Sequence, residues 1–105
     1  MSSKKKLIRN KFRDSVFSRD NYMCKFCDCI DSLDAHHITD RSLMPNGGYV
    51  ESNGITLCKF HHGQAEQFHT TNGQDWQPNM HPNDLYKLIG SNKEKAEADS
   101  KRLTL

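Results

Sequence analysis

Two short runs constrain this 105-residue chain more than anything else in it, Cys24-Lys25-Phe26-Cys27 and Cys58-Lys59-Phe60-His61. In each, two residues separate a pair of metal-binding side chains, the gap that lets both reach one ion, and two such pairs close a tetrahedral zinc site. With only 34% hydrophobic residues the chain has little to bury, so a metal staple is what a fold of this size needs. Cys29 could displace His61 to give an all-cysteine site. Cys-x-Cys closes a less relaxed loop than Cys-x-x-Cys, however, and Cys29 reads as a bystander.

The zinc site leaves imidazoles over. His36 and His37 form an internal pair, and His62 follows His61 directly. Neighbours on a helix point about 100° apart, so His61 and His62 do not serve the same ion. Either His62 caps or packs, or it joins His36 and His37 in a second centre, where an imidazole that changes charge near neutral pH could do chemistry.

Composition excludes several classes. No apolar stretch approaches the length that crosses a bilayer, and the Met-Ser-Ser-Lys-Lys-Lys start has no apolar segment behind it. The expectation is a soluble, reduced, cytoplasmic protein with no membrane partner, its cysteines free for metal. Net charge is only +2, yet residues 1–25 hold eight basic side chains against Asp14 and Asp20. Such a segment attracts polyanions, nucleic acid first, through phosphate contacts and counterion release, unless it is merely a solvated basic helix.

Periodicity places the motifs. Leu7, Ile8, Phe12, Val16 and Phe17 recur at helical spacing and predict a helix over Lys6 to Ser18 with that stripe in the core. Residues 32–38 alternate as a short strand, Ile55 to Cys58 reads as a second, and Pro45-Asn46-Gly47-Gly48-Tyr49 is turn chemistry. His61 to Phe68 reads as a helix and Thr71 to Pro82 as a loop. Pro82-Asn83-Asp84 caps Leu85 to Ile89, and Asn92 to Leu103 is a helix with so few apolar residues that it should be frayed or exposed. This divides the chain into a core with its basic helix over 1–70, a loop over 71–82 and a helical tail over 83–105.

Three runs together carry a resemblance: residues 19–27 ending in the first half-site, Leu33-Asp34-Ala35-His36-His37-Ile38, and Asn53-Gly54-Ile55-Thr56-Leu57-Cys58-Lys59-Phe60-His61-His62. Their order resembles the HNH endonuclease family in its zinc-knuckle form, over about residues 12 to 69. The resemblance implies an α+β fold of the small ββα-metal (HNH, His-Me finger) type, with an N-terminal helix, a structural zinc knuckle and a helical C-terminal tail. It also implies a metal-dependent hydrolase that cuts DNA phosphodiester bonds, by nicking or double-strand cleavage. His37 would be the general base that activates water, and His36 and His62 would ligate a catalytic divalent ion that stabilises the leaving 3′ oxygen. Asn53 matches the family's central asparagine, whose task would be to hold the loop carrying His37.

Arg41 is a candidate phosphate clamp because a guanidinium offers a planar fork of donors; a salt bridge to Asp40 is the competing reading. Cys24, Cys27, Cys58 and His61 would hold Zn2+. The catalytic ion would be Mg2+ or Mn2+, and His36, standing where many relatives have aspartate, tilts preference toward Ni2+, Co2+ or Zn2+. Glu66 and His69, one and two helical turns after His62, could add a ligand or a contact, though both read more readily as ordinary helix-surface residues. Adjacent strand residues face opposite sides, so His36 and His37 can share a centre only near a strand end or a distortion. Double-stranded DNA is the expected partner, with a homodimer or a DNA-processing partner protein left open, and the small isolated architecture is similar to phage and mobile-element nucleases. The alternative is a non-catalytic zinc-dependent DNA-binding module, which would have no use for His36, His37 and His62 together.

Overall fold

The computed structural model describes residues 3–103, so residues 1, 2, 104 and 105, at the ends of the expected 1–70 and 83–105 segments, lie outside the description. The chain is a small α+β unit: helix α1 (Ser3–Arg19), strand β1 (Leu33–His37), strand β2 (Gly54–Cys58), then helices α2 (Lys59–Thr70), α3 (Pro82–Leu88) and α4 (Lys93–Lys101). Three short 3-10 turns, Arg41–Leu43, Pro45–Gly48 and Glu51–Asn53, connect the strands.

Helix α1 stops where Asn21 and Tyr22 take left-handed backbone angles (φ 58° and 55°), with Tyr22 N–H reaching back to the Phe17 carbonyl and Asn21 N–H to that of Ser18. This is a Schellman close, with asparagine in the position that favours glycine. The next residue to matter is Asp20, a buried carboxylate. Arg19 grips it with two guanidinium nitrogens (2.9 and 2.8 Å) and also donates to the carbonyls of Glu51 and Gly54, while Thr56 N–H donates to Asp20. The helix end is thereby fastened to β2. The expected core stripe is corrected at its start: Phe12, Val16 and Phe17 are buried, but Leu7 is 67% exposed. A helix of seventeen residues runs about 25 Å whereas a five-residue strand covers about 17 Å, so the first turns of α1 overhang the sheet.

The strands pair antiparallel in the register Leu33↔Cys58, Ala35↔Thr56 and His37↔Gly54. Paired residues share a face, so Ala35, His37, Gly54 and Thr56 look toward α1, and Asp34, His36, Ile55 and Leu57 look toward α2. Gly54 has a steric reason to be glycine, because a β-carbon there would strike the side chains of Val16 and Phe12. Every residue of β2 is buried between the two helices.

The tail is part of the core, which corrects the expectation of a frayed or exposed last helix. Leu85, Tyr86 and Ala96 join Ile38, Ile55, Leu57 and Met80 in one buried cluster, and Ser100 is also fully buried. Asn92 caps α4 by accepting from Lys95 N–H, and Asp99 accepts from the Ser52 hydroxyl at 2.7 Å. Asn46 donates to the Ser100 carbonyl at 2.9 Å. Helix α4 therefore clamps the connection between the strands.

Candidate active site and metal centre

Cys58 stands at the N-cap of helix α2, whose first turn sends two adjacent histidines to different places. His61 turns back to the sulfurs: its Nδ1 lies 3.3 Å from Cys58 Sγ and 3.7 Å from Cys24 Sγ, and Cys27 Sγ is 3.7 Å from Cys58 Sγ. A tetrahedron with zinc bond lengths has edges of about 3.8 Å between sulfurs and about 3.6 Å between sulfur and nitrogen, so the spacing fits a zinc ion. It is far too long for a disulfide. The cluster Cys24, Cys27, Cys58 and His61 could therefore hold zinc. Local structure presents these ligands. Phe26 N–H points at Cys24 Sγ, the Phe26 ring stacks on His61 at 5.3 Å, and the backbone N–H of His61 pulls the Cys58 thiol below its ordinary value. Cys29 stays outside the cluster, its thiol facing the Asp31 carbonyl.

His62 points the other way, toward His36 at 5.2 Å between ring centres. His36, His62 and Glu66 form a second group whose donor atoms all lie within 4.8 Å of one another. His62 Nε2 and Glu66 Oε1 are 3.1 Å apart, and His62 Nδ1 is 3.2 Å from Asp34 Oδ2. The donor set fits a divalent ion on one observation in particular. His36 is 1% exposed, yet neither of its ring nitrogens has a hydrogen-bond partner among the described residues; Nδ1 comes within 3.2 Å of Glu66 Oε1 without the geometry of a hydrogen bond. A buried, unsatisfied nitrogen beside a carboxylate suits two ligands of one cation better than a bonded pair. Burial lowers the pKa of His36 and keeps it neutral. Glu66, with His36 and His62 beside it, is held well below the usual carboxylate range, and Glu66 in turn raises His62.

Glu66 and His69 are not ordinary surface residues, and that expectation is corrected. Glu66 belongs to the second cluster, and His69 stacks on His36 at 5.2 Å while its Nε2 donates to the His37 carbonyl at 2.9 Å. The signal for Glu66 was present in its place one turn after His62, the spacing that puts two side chains on one helix face.

His37 ends β1 on the opposite face. It stacks on Phe12 (4.4 Å, 25°) and meets the edge of Tyr49 at 4.8 Å, and its Nε2 is buried without a hydrogen bond among the described residues. Burial first, then the neighbouring His36 and Arg41, pulls its pKa down to about 4, so the imidazole is neutral at pH 7. At the strand end the two faces open into one cleft of about 500 Å³, which His37 lines together with Asp34, His62 and Glu66. Arg9 and Arg13 from α1 and Arg41 from the connection add positive charge to its walls. Arg41 is exposed and donates to the Tyr49 hydroxyl at 3.0 Å; among the described residues it makes no ion pair with Asp40, whose carboxylate instead caps the following turn through Ser42. Asn53 lies beneath the cleft, fully buried, with its side chain bonded to Thr39 and Gly48.

No family model, curated protein or solved structure matches this chain.

Proposed function

We propose that this chain is a metal-dependent endonuclease of the HNH type that hydrolyses phosphodiester bonds of double-stranded DNA. The observation that carries the reading is the meeting, in one cleft, of a neutral, half-buried His37 with His62 and Glu66, whose donor group the buried His36 completes, and with Arg9, Arg13 and Arg41 beside them. The β1–β2–α2 order supports the ββα-metal reading of the fold, with the Cys24, Cys27, Cys58 and His61 cluster as its structural zinc.

Each residue then has a task. His37 accepts the proton of the attacking water, which its depressed basicity permits because the group is already unprotonated at neutral pH. Arg41 and the two arginines of α1 bind phosphate oxygens and orient the strand across the cleft. A divalent ion held by His36, His62 and Glu66 would supply Lewis-acid stabilisation of charge developing on the phosphate and the leaving oxygen. Asn53 holds the backbone that follows His37.

Plasmid nicking by purified protein, in each of several divalent ions, tests the reading. The expected result is conversion of supercoiled to open-circular DNA that EDTA abolishes and that His37→Ala reduces by a factor of about 100 or more. Salt-dependent DNA binding without cleavage in any ion would favour a zinc-dependent binding module instead.

A further inference from the structure

The amide of Asn53 has only one orientation that satisfies its surroundings. Its Nδ2 donates to the carbonyls of Thr39 and Gly48, both at 3.1 Å, and neither oxygen could donate to a reversed amide. Oδ1 therefore faces two donors, the Thr39 N–H at 3.0 Å and the Tyr86 hydroxyl at 2.7 Å. Tyr86 has a single hydroxyl hydrogen, now committed to Asn53, so the Thr39 hydroxyl, 2.7 Å from the Tyr86 oxygen, must be the donor in that contact. The three side chains close a buried circuit between the tail and the cleft.

That circuit acts on one short piece of backbone. Thr39 gives both its N–H and its carbonyl to Asn53, Ile38 N–H donates to the Asn53 carbonyl at 2.8 Å, and the His37 carbonyl accepts from His69. The chain from His37 to Thr39 thus leaves β1 with its polar groups held. Tyr86 comes from α3, far away in sequence and only 2% exposed. A phenylalanine would fill the same space, and the cost of burying the hydroxyl is offset by its two hydrogen bonds.

We infer that Tyr86 is a positioning residue for phosphodiester cleavage, acting through the Asn53 carboxamide to fix where His37 stands in the cleft. The inference rests on the nuclease reading. It makes α3 a part of the catalytic apparatus, although none of its atoms need touch DNA.

Tyr86→Phe in the full chain removes one oxygen and leaves the ring. With supercoiled plasmid and saturating divalent ion, kcat is expected to fall about tenfold, a loss typical of a slightly misplaced catalytic group, while KM, DNA affinity and bound zinc stay at wild-type values. Adding Tyr86→Phe to Asn53→Ala should lower kcat no further, because both changes cut the same connection. Wild-type kcat in Tyr86→Phe would overturn the inference. So would a loss that tracks lowered thermal stability and disappears when the assay is run colder, since that marks a purely structural role. Absence of nicking by the wild type in every ion would overturn the nuclease reading itself and the inference with it.

Discussion

His36 and His37 are chain neighbours whose rings enter different environments, because a strand turns successive side chains to opposite faces. The consequence is a division of labour at atomic scale. His36 is sealed against α2 among candidate ligands, and His37 is pressed against Phe12 and kept neutral by burial. Their titration separates two origins of any loss of activity in acid. A lowered pKa moves the protonation of His37 to about 4, below its ordinary 6.5, so at saturating metal kcat should hold its plateau well below pH 6.5. His62 is shifted upward by Glu66, so protons compete with metal for it already above pH 6.5, and at limiting metal the activity should fall as pH drops through that range. Rates measured against pH at two metal concentrations check both, and a kcat limb centred at or above 6.5 under saturating metal would contradict the assignment of His37. The pairing of His36 and His37 was visible in the sequence, as were the four members of the cysteine–histidine cluster that could hold zinc, because each depends on spacing along the chain. Glu66 was legible only as one of two readings, since its i, i+4 relation to His62 is equally common on solvent faces, and the position of His36 across the interface decides between them.

Helix α2 is the element on which the two centres depend. The angle between consecutive helical residues sends His61 to the sulfurs and His62 to His36, so one rigid segment sets the separation of both groups. The close approach of α1 to β2 is equally specific, since Val16 and Phe12 occupy the space that a side chain at position 54 would need. Gly54→Ala should therefore destabilise the zinc-loaded protein by about 2 kcal/mol through overpacking, measured by urea denaturation; a change near zero would show that α1 is not seated as described. The helices and strands were legible from hydrophobic period, with boundaries moved by a few residues. What periodicity could not reveal was the packing of α4. Its buried residues are Ala96 and Ser100, one turn apart, too small and too polar to register as an apolar stripe, and they are buried because the connection between the strands lies directly against them.

At the scale of the molecule, the basic charge that the sequence concentrates in its first segment becomes one wall of the cleft through Arg9 and Arg13, on the helix that also carries Phe12. The same helix thus stacks on His37 and places two arginines on the wall of the cleft. Such a small protein has room for a sulfur-rich group and a second one of nitrogen and carboxylate donors, each of which could hold a metal ion. The most direct test is metal stoichiometry, by elemental analysis of protein dialysed against Mn2+ after purification. One tightly held zinc and one exchangeable ion per chain are expected, with a double variant, His62→Ala and Glu66→Ala, retaining the zinc and losing only the second. A single ion in the wild type, or a double variant that still binds two, would contradict that expectation.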